Sequence, residues 1–203
     1  MRAFVIAMDC EAECVRPALK PGDRLYVSGI GKVNAAAATQ RAICEGATEI
    51  WNVGLAGGFG VTLEIAGLYR ADRAVEYDFD LAAVNGTAIG VLNEYDTPYL
   101  ELVPPPGALE RPALAALPVL TLATGDRFND SAADNALITE TLHASLRDME
   151  GAAIAHVCKR CGVPCVSVKC VSDIADRGSM PGQYQENMRR CLAHLTAALP
   201  DLI

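Results

Sequence analysis

The residues best suited to chemistry lie in the segment 147–176, where two carboxylates, Glu150 and Asp173, bracket one helix–turn–strand unit. Asp173 comes just after the apolar run 163–171, which has the composition of a buried strand. In an open α/β sheet, ligands bind beyond the carboxyl ends of the strands. A carboxyl group placed there can transfer a proton to or from a bound ligand. The spacing therefore predicts an acid–base site, with Asp173 as its main candidate.

Strand and helix patterns alternate along the whole chain, which is typical of an α/β fold. Short apolar runs predict strands at 3–8, 25–28, 49–54, 119–123 and 163–171, and residues 67–103 are strand-rich but irregular. Helical spacing predicts helices at 33–45, 134–145, 151–161 and 182–199. The length of 203 residues suits one domain, residues 1–203.

Glycines or acids follow five of the predicted strands: Glu11, Gly29 and Gly31, Gly54 with Gly57 and Gly58, Gly125 with Asp126, and Asp173. Glycine lets the backbone approach a ligand closely. The repetition favours a single pocket at one edge of the sheet. Ordinary strand-to-helix turns also use glycine, and for the predicted turn at 54–58 alone the two interpretations have equal weight.

Motifs for nucleotide cofactors and for serine hydrolases are missing from the sequence. The spacing of Gly54, Gly57 and Gly58 does not fit a dinucleotide fingerprint, and neither a P-loop nor a Gly-x-Ser-x-Gly elbow is present. The three histidines fall on predicted helices. The acid and the base of an enzyme with this sequence are therefore predicted to be carboxylates, with no cofactor.

The net charge of −8 argues against nucleic acids and anionic membranes as partners. The hydrophobic fraction of 51% comes without an apolar run near the ~20 residues of a membrane span, so we assign it to a core and an oligomer interface. The first residues read as a strand rather than a signal peptide, and the expected location is the cytoplasm.

Four of the eight cysteines are close in sequence and could in principle bind a metal: Cys158, Cys161, Cys165 and Cys170. Zinc ribbons use two separated Cys-x2-Cys pairs, and this cluster has one. Cys165 and Cys170 are an odd number of residues apart on one predicted strand, so they face opposite sides. We therefore favour buried, reduced thiols over a metal site.

Five blocks in order along the chain resemble the 5'-methylthioadenosine/S-adenosylhomocysteine nucleosidases of the purine nucleoside phosphorylase superfamily. They are AMDCE (7–11), SGIGKV (28–33), NVGLAGG (52–58), DMEGAAIAHVC (148–158) and VSDIAD (171–176). The last two are specific, whereas the glycine blocks are shared across the superfamily. The resemblance implies a three-layer αβα sandwich around a mixed, partly barrel-like sheet. It also implies a homodimer acting on a small purine nucleoside.

The resemblance also implies roles for individual residues in the hydrolysis of an N-glycosidic bond. Asp173, supported by Ser172, would protonate N7 of the leaving adenine, and Glu11 would activate water. The remaining predicted residues would bind substrate: Phe128 by stacking on the base, Asn129 through its backbone at the edge of the base, and Met149 and Glu150 at the ribose. Gly57 and Lys169 are also predicted to bind substrate.

Several positions depart from the pattern of this family. Leu55 replaces a usual Ser or Thr that helps position the water, Lys169 replaces a usual Arg, and Asn129 replaces a usual aliphatic residue. The segment between Glu13 and Leu25 is short. Three further functions therefore stay open: a nucleosidase for futalosine or aminofutalosine, a phosphorylase, and a non-catalytic relative that binds adenine nucleosides.

Overall fold

Residues 1–175 and 177–203 are described by a computed structural model, in which eight strands form one mixed sheet. The strands are β1 (Arg2–Ile6), β2 (Arg24–Val27), β3 (Glu49–Gly58), β4 (Leu68–Glu76), β5 (Leu100–Glu101), β6 (Val119–Thr124), β7 (Leu146–Asp148) and β8 (Cys165–Ile174). The helices are α1 (Asp9–Val15), α2 (Lys32–Cys44), α3 (Ala82–Asn85), α4 (Pro112–Ala115), α5 (Ala132–Ala136), α6 (Gly151–Cys161) and α7 (Met180–Leu202).

Five of the strands close into a barrel. β3 pairs with β8, β8 with β4, β4 with β6, β6 with β7, and β7 returns to β3. The β3–β7 and β4–β8 pairs are antiparallel and the other three are parallel. β1 and β2 extend the sheet from β3, and β5 adds to β4. The predicted mixed, partly barrel-like sheet is therefore confirmed.

Helices cover the sheet on two sides. α2 and α6 pack together over one core cluster, which includes Ala35, Ala42, Ala152 and Ile154. α1 and α7 pack over a second cluster, which includes Ala12, Val15, Cys191 and Leu195. The α/β class and the αβα layering predicted from the sequence are thus confirmed. In the described part of the chain, no helix is long and apolar enough to cross a membrane.

β3 and β8 are the central strands, and nearly every residue in them is buried. Strands covered on both faces have continuous apolar sequences rather than alternating ones, which explains why their runs were recognisable. Both strands extend further than the sequence predicted, to Gly58 and Ile174. The predicted turn at 54–58 is therefore wrong, because these glycines continue β3 and pair with β8 and β7.

Three other local predictions also differ from the structure. The acids that follow the first strand belong to a helix, α1. The predicted helix at 134–145 is the short α5 followed by a π-helical turn, Leu137–Thr141, and His143 lies beyond it with a positive φ of 45°. Within 67–103, β4 is one continuous strand, whereas the stretch after Glu76 is mostly turns. Asp176, the last residue of the fifth sequence block, lies outside the described residues.

Candidate active site

A cavity of about 310 Å³ opens where β1, β3, β7 and β8 end. Its lining includes both predicted catalytic acids and five predicted substrate-binding residues: Glu11, Asp173, Gly57, Phe128, Met149, Glu150 and Ser172. Residues that are far apart in the sequence thus meet at one edge of the sheet. Lys169 and Asn129 do not belong to the lining.

Asp173 is fully buried at the end of β8. The hydroxyl of Ser172 donates a hydrogen bond to its Oδ1 at 2.7 Å, and no partner among the described residues reaches its Oδ2. Burial raises the pKa of Asp173, although the hydrogen bond from Ser172 and the charge of Arg147 oppose the rise. Asp173 can therefore hold a proton at a higher pH than an exposed aspartate can.

A β-bulge aims this pair at the cavity. In the β3–β8 ladder, Ala56 pairs with Val171 and Gly57 pairs with Asp173, so Ser172 is the extra residue of the bulge. A bulge breaks the strict alternation of a strand and re-aims its side chains. Ser172 and Asp173 can consequently both line the cavity although they are neighbours in sequence.

Glu11 reaches the cavity from the first turn of α1. Its Oε1 accepts a hydrogen bond from the backbone N–H of Leu55 at 2.7 Å, and its Oε2 accepts one from Met8 at 3.2 Å. Burial raises the pKa of Glu11, while these N–H donors and the charge of Lys169 lower it. The Leu55 contact uses the backbone, so the loss of a hydroxyl side chain at this position leaves it intact.

Two glycines of β3 make room for the two acids. A Cβ atom at Gly54 would lie 2.6 Å from Glu11 Oε1, and one at Gly57 would lie 2.8 Å from Asp173 Oδ2. Real Cβ contacts are essentially never this short, so a larger residue at either position would displace a carboxylate. The glycine spacing in β3 is thus explained by the two acids.

Glu150 lies between the end of β7 and the start of α6. Its Oε1 accepts a hydrogen bond from the backbone N–H of Gly31 at 2.8 Å. Burial and the negative charge of Asp148 raise the pKa of Glu150 to about 7, against the opposing charge of Lys169. Met149, beside it, is half-buried and lines the cavity.

Lys169 lies behind the part of the cavity lining that Asp148 and Glu150 form. Its side chain is buried, and Nζ forms an ion pair of 2.8 Å with Asp148 Oδ2. Asp148 also accepts hydrogen bonds from Thr124 Oγ1 at 2.6 Å and from the backbone of Gly151 at 2.9 Å. Burial disfavours the charge on Lys169, but Asp148 and Glu150 more than offset this and raise its pKa. Lys169 therefore supports two acids, Asp148 through the ion pair and Glu150 through its nearby positive charge.

Phe128 and Asn129 belong to the loop before α5. The ring of Phe128 is 48% exposed at the cavity and meets Tyr184 edge to face, with 5.4 Å between ring centroids. The side chain of Asn129 turns toward Asp134, with 3.1 Å between Nδ2 and Oδ2. The carbonyl of Asn129 accepts a hydrogen bond from the Arg147 guanidinium, so an internal donor already uses this backbone group.

Sequence reasoning missed Arg147 and Tyr184, which also line the cavity. Arg147 carried no signal in the sequence, because its burial in β7 is known only from the structure. Tyr184 carried none, because its position on α7 matters only once that helix packs beside β8.

The four clustered cysteines do not converge. Cys158 and Cys165 pack in the cluster under α2 and α6, Cys170 packs in the cluster under α1 and α7, and Cys161 is exposed. Within residues 1–175 and 177–203, no group of three or more potential ligands is arranged to hold a metal ion.

Known proteins share this arrangement of sequence and fold. A profile of the phosphorylase superfamily matches residues 24–203. A 5'-methylthioadenosine/S-adenosylhomocysteine nucleosidase of Marinomonas sp. (strain MWYL1) is 33% identical over 174 residues, which cover 81% of this chain and 73% of that protein. An aminodeoxyfutalosine nucleosidase of Campylobacter jejuni is 33% identical over 159 residues, which cover 74% of this chain and 67% of that protein.

A solved structure shares the fold along nearly the whole chain. The native futalosine hydrolase of Helicobacter pylori strain 26695 superposes with a TM-score of 0.88 at 23% identity, covering 99% of this chain and 96% of that one. The profile and the sequence relatives show that the chain belongs to the phosphorylase superfamily, as a member of its 5'-methylthioadenosine/S-adenosylhomocysteine nucleosidase family.

Proposed function

We propose that this protein is a purine nucleoside hydrolase that cleaves the N-glycosidic bond of 5'-methylthioadenosine and S-adenosylhomocysteine and releases adenine. One observation carries the proposal. Two buried carboxyl groups, those of Glu11 and Asp173, lie against glycines of the same strand and line the same cavity. A hydrolysis that needs one acid and one base can use such a pair.

Asp173 acts as the general acid on the departing base. As the bond between C1' and N9 breaks, its electron pair moves into the purine, and Asp173 donates its proton to N7. Burial supports this role because it raises the pKa of Asp173 and keeps the proton available. The Ser172 hydroxyl donates to Oδ1, which leaves Oδ2 to face the base.

Glu11 acts as the general base on water. The water oxygen bonds to C1' and its proton passes to Glu11, so the products are a free purine and a free sugar. Two backbone N–H groups hold the ionised form of Glu11 in place. Developing positive charge on the sugar is stabilised by the carboxylates around it.

The remaining residues of the site hold the substrate. Glu150 accepts from the ribose hydroxyls, Met149 packs against the sugar, and Phe128 stacks on the base. Gly57 leaves space for the carboxyl group of Asp173 beside the purine. Lys169 acts indirectly, since its ion pair with Asp148 holds the wall that carries Glu150.

Water is favoured over phosphate as the nucleophile. The lining carries four carboxylates, Glu11, Asp148, Glu150 and Asp173, against the single guanidinium of Arg147. Arg147 pairs with Gly57, the glycine that lies against Asp173, whereas Glu11 lies against Gly54. A phosphate nucleophile would have to bind beside Glu11, and the negative charge of this carboxylate would repel it.

A nucleosidase for futalosine or aminofutalosine is the second candidate, and the 33% identity to an aminodeoxyfutalosine nucleosidase favours it over a phosphorylase. A non-catalytic relative is disfavoured because Glu11, Glu150 and Asp173 are all retained and all reach the cavity.

We also propose that residues 1–203 act as one domain in a cytoplasmic homodimer. Exposed apolar side chains support a dimer: Ile30 is 51% and Val33 is 79% exposed, and Ile30 lines the cavity mouth. Sedimentation equilibrium measures the assembly, and a monomer at micromolar concentration would refute the dimer.

The test is a product analysis. Purified protein is incubated without phosphate with methylthioadenosine, adenosylhomocysteine or aminofutalosine, and free adenine is separated by chromatography. Release of adenine from the first two supports the proposal, and release from aminofutalosine alone moves the function to the second candidate. Adenine that forms only with added phosphate identifies a phosphorylase, and no adenine from any nucleoside rejects the hydrolase.

A further inference from the structure

Two carboxylates tie the start of α2 to the site. The backbone N–H of Gly31 donates to Glu150 Oε1 at 2.8 Å, and the next N–H, that of Lys32, donates to Asp126 Oδ1 at 2.9 Å. Both N–H groups lie at the N-terminus of the helix, where the helix dipole favours negative charge. The position of Glu150 in the cavity therefore depends on where the backbone of residues 31 and 32 is held.

Gly31 permits this double contact. Its φ is 102°, in the region that favours glycine, and a Cβ atom on it would lie 3.1 Å from Asp126 Oδ1. A side chain at residue 31 would thus press on Asp126. The close approach couples the loop after β6, which carries Asp126, to the start of α2.

Asp78 holds both of these segments. Its Oδ1 lies 2.6 Å from Lys32 Nζ, and its Oδ2 accepts a hydrogen bond from the backbone N–H of Asp126 at 2.9 Å. Glu76 Oε2 lies 3.0 Å from the same Nζ. Burial lowers the pKa of Lys32, but the hydrogen bonds to Asp78 and Glu76 outweigh it and raise the pKa, so Lys32 stays charged. The side chain of Asp78 is 12% exposed, so water screens its ion pair less than it screens a surface pair.

This network stands behind the site rather than in it, since Lys32, Asp78 and Asp126 do not line the cavity. It joins three segments at the ends of strands: 29–32 after β2, 76–78 at the end of β4 and 125–126 after β6. The last segment leads directly to Phe128. A carboxylate outside the cavity thus holds both the N–H group that contacts Glu150 and the loop that presents Phe128.

We propose that Asp78 is a positioning residue of the nucleosidase site, which keeps the Gly31 N–H group on Glu150 and thereby sets the affinity for the ribose. This inference rests on the proposed function, in which Glu150 accepts from the ribose hydroxyls. Asp78 itself touches no substrate. Its loss therefore weakens substrate binding more than it slows the chemical step, which belongs to Glu11 and Asp173.

The Gly31 contact also affects the charge on Glu150. Burial and the charges of Asp148 and Glu11 raise the pKa of Glu150, whereas Lys169 and the Gly31 N–H group lower it. Displacement of this N–H group raises the pKa further, so Glu150 carries less charge near neutral pH. At a pH above both pKa values Glu150 is ionised in either protein, and this part of the difference disappears.

The test is steady-state kinetics of Asp78→Asn with the nucleosides that the wild type cleaves, from about pH 6 to about pH 9. We expect KM near neutral pH to rise about tenfold, the effect of one lost hydrogen bond to a charged group, while kcat changes less than about threefold. The rise in KM is expected to shrink toward the alkaline end, where Glu150 ionises without the help of Gly31.

Asp80→Asn is the matched control. Asp80 lies two residues further along, its Oδ1 accepts from the backbone of Ala82 at 2.8 Å, and it does not line the cavity, so KM stays at the wild-type value. Asp126→Ala is the second variant. It removes the acceptor for the Lys32 N–H group from an exposed side chain, and we expect a rise in KM with the same pH trend.

Circular dichroism checks that the variants fold, and Asp126→Ala decides by the same criteria if Asp78→Asn does not. A wild-type KM in the folded variant overturns the inference. A rise in KM that is equal at every pH also overturns it, because altered packing would act without the charge of Glu150. So does a fall in kcat at unchanged KM. Each of these results leaves the proposed function standing, whereas a wild type that releases adenine from no nucleoside rejects the proposed function and the inference with it.

Discussion

Gly57 and Asp173 face each other across the β3–β8 ladder, and the missing side chain of Gly57 is the space that the Asp173 carboxyl group occupies. The fit is tight, because a Cβ atom at position 57 would lie 2.8 Å from Asp173 Oδ2 and 2.9 Å from Met180 Cε. The glycine and the acid therefore form one functional unit, although they are distant in the chain.

The substitution Gly57→Ala tests this relationship. The added methyl group must push Asp173 or Met180 aside, so we expect kcat to fall at least about tenfold, with a loss of stability of ~1–3 kcal/mol. Steady-state kinetics and urea denaturation measure the two effects. Gly182→Ala is the control, since a Cβ atom there would meet nothing nearer than Ser179 at 3.6 Å. Wild-type kcat in Gly57→Ala would show that the close approach does not matter for turnover.

Asp173→Asn removes the proton that the leaving base requires while it keeps the shape of the side chain. We expect kcat for adenine nucleosides to fall by about 10²–10⁴, the usual contribution of a general acid, with the fold retained. Single-turnover kinetics and circular dichroism check the two parts. Asp201→Asn changes an exposed carboxylate far along α7 and serves as the control. A folded Asp173→Asn enzyme with normal turnover would remove Asp173 from the mechanism.

Glu150 links stability to pH. Its pKa is about 7 in the folded protein, above the ordinary value of 4.5 that applies to the unfolded chain. Between these pH values the folded state binds more protons than the unfolded state, so stability falls as pH rises through this window. The stabilisation is complete below the lower value and is lost above the upper one.

The measurement is urea denaturation between pH 4.5 and 8. At about 1.4 kcal/mol for each pH unit between the two pKa values, Glu150 accounts for a loss of about 3 kcal/mol. Glu150→Gln cannot titrate, and its stability is expected to decline less over this range by about that amount. Glu186→Gln, at an exposed position on α7, is expected to follow the wild type. A parallel decline in Glu150→Gln and wild type would contradict the raised pKa.

Lys169→Met removes the counter-charge of a buried acid. Asp148 then stays buried without its partner at 2.8 Å, and breaking such a pair costs ~3–5 kcal/mol. Urea denaturation measures the loss, and we expect the double variant Lys169→Met/Asp148→Asn to recover part of it. Undiminished stability of the single variant, together with a large rise in KM, would instead favour direct contact between Lys169 and substrate.

The sequence by itself determined which groups could do the chemistry. The acids Glu11, Glu150 and Asp173 stand next to apolar runs typical of buried strands or next to helix-forming segments. The five sequence blocks also occur in the order found in the nucleosidase family. The central strands were predictable because strands covered on both faces need continuous apolar residues. The α/β class followed from the alternation of strands and helices, whereas the three-layer arrangement followed from the resemblance to the family.

Only the tertiary structure decided where these groups point. The bulge that directs both Ser172 and Asp173 toward one cavity exists only because β8 pairs with β3. A register shift of this kind cannot be predicted from the local periodicity of the sequence. Strand pairing also placed Gly57 inside β3 rather than in a turn, and the β3–β7 pairing brought Arg147 to the cavity. Lys169 lies behind the cavity lining rather than in it, because a buried ammonium group needs a carboxylate partner and Asp148 is the one within reach. Contacts between residues distant in the chain set each of these positions, so residue types alone could not give them.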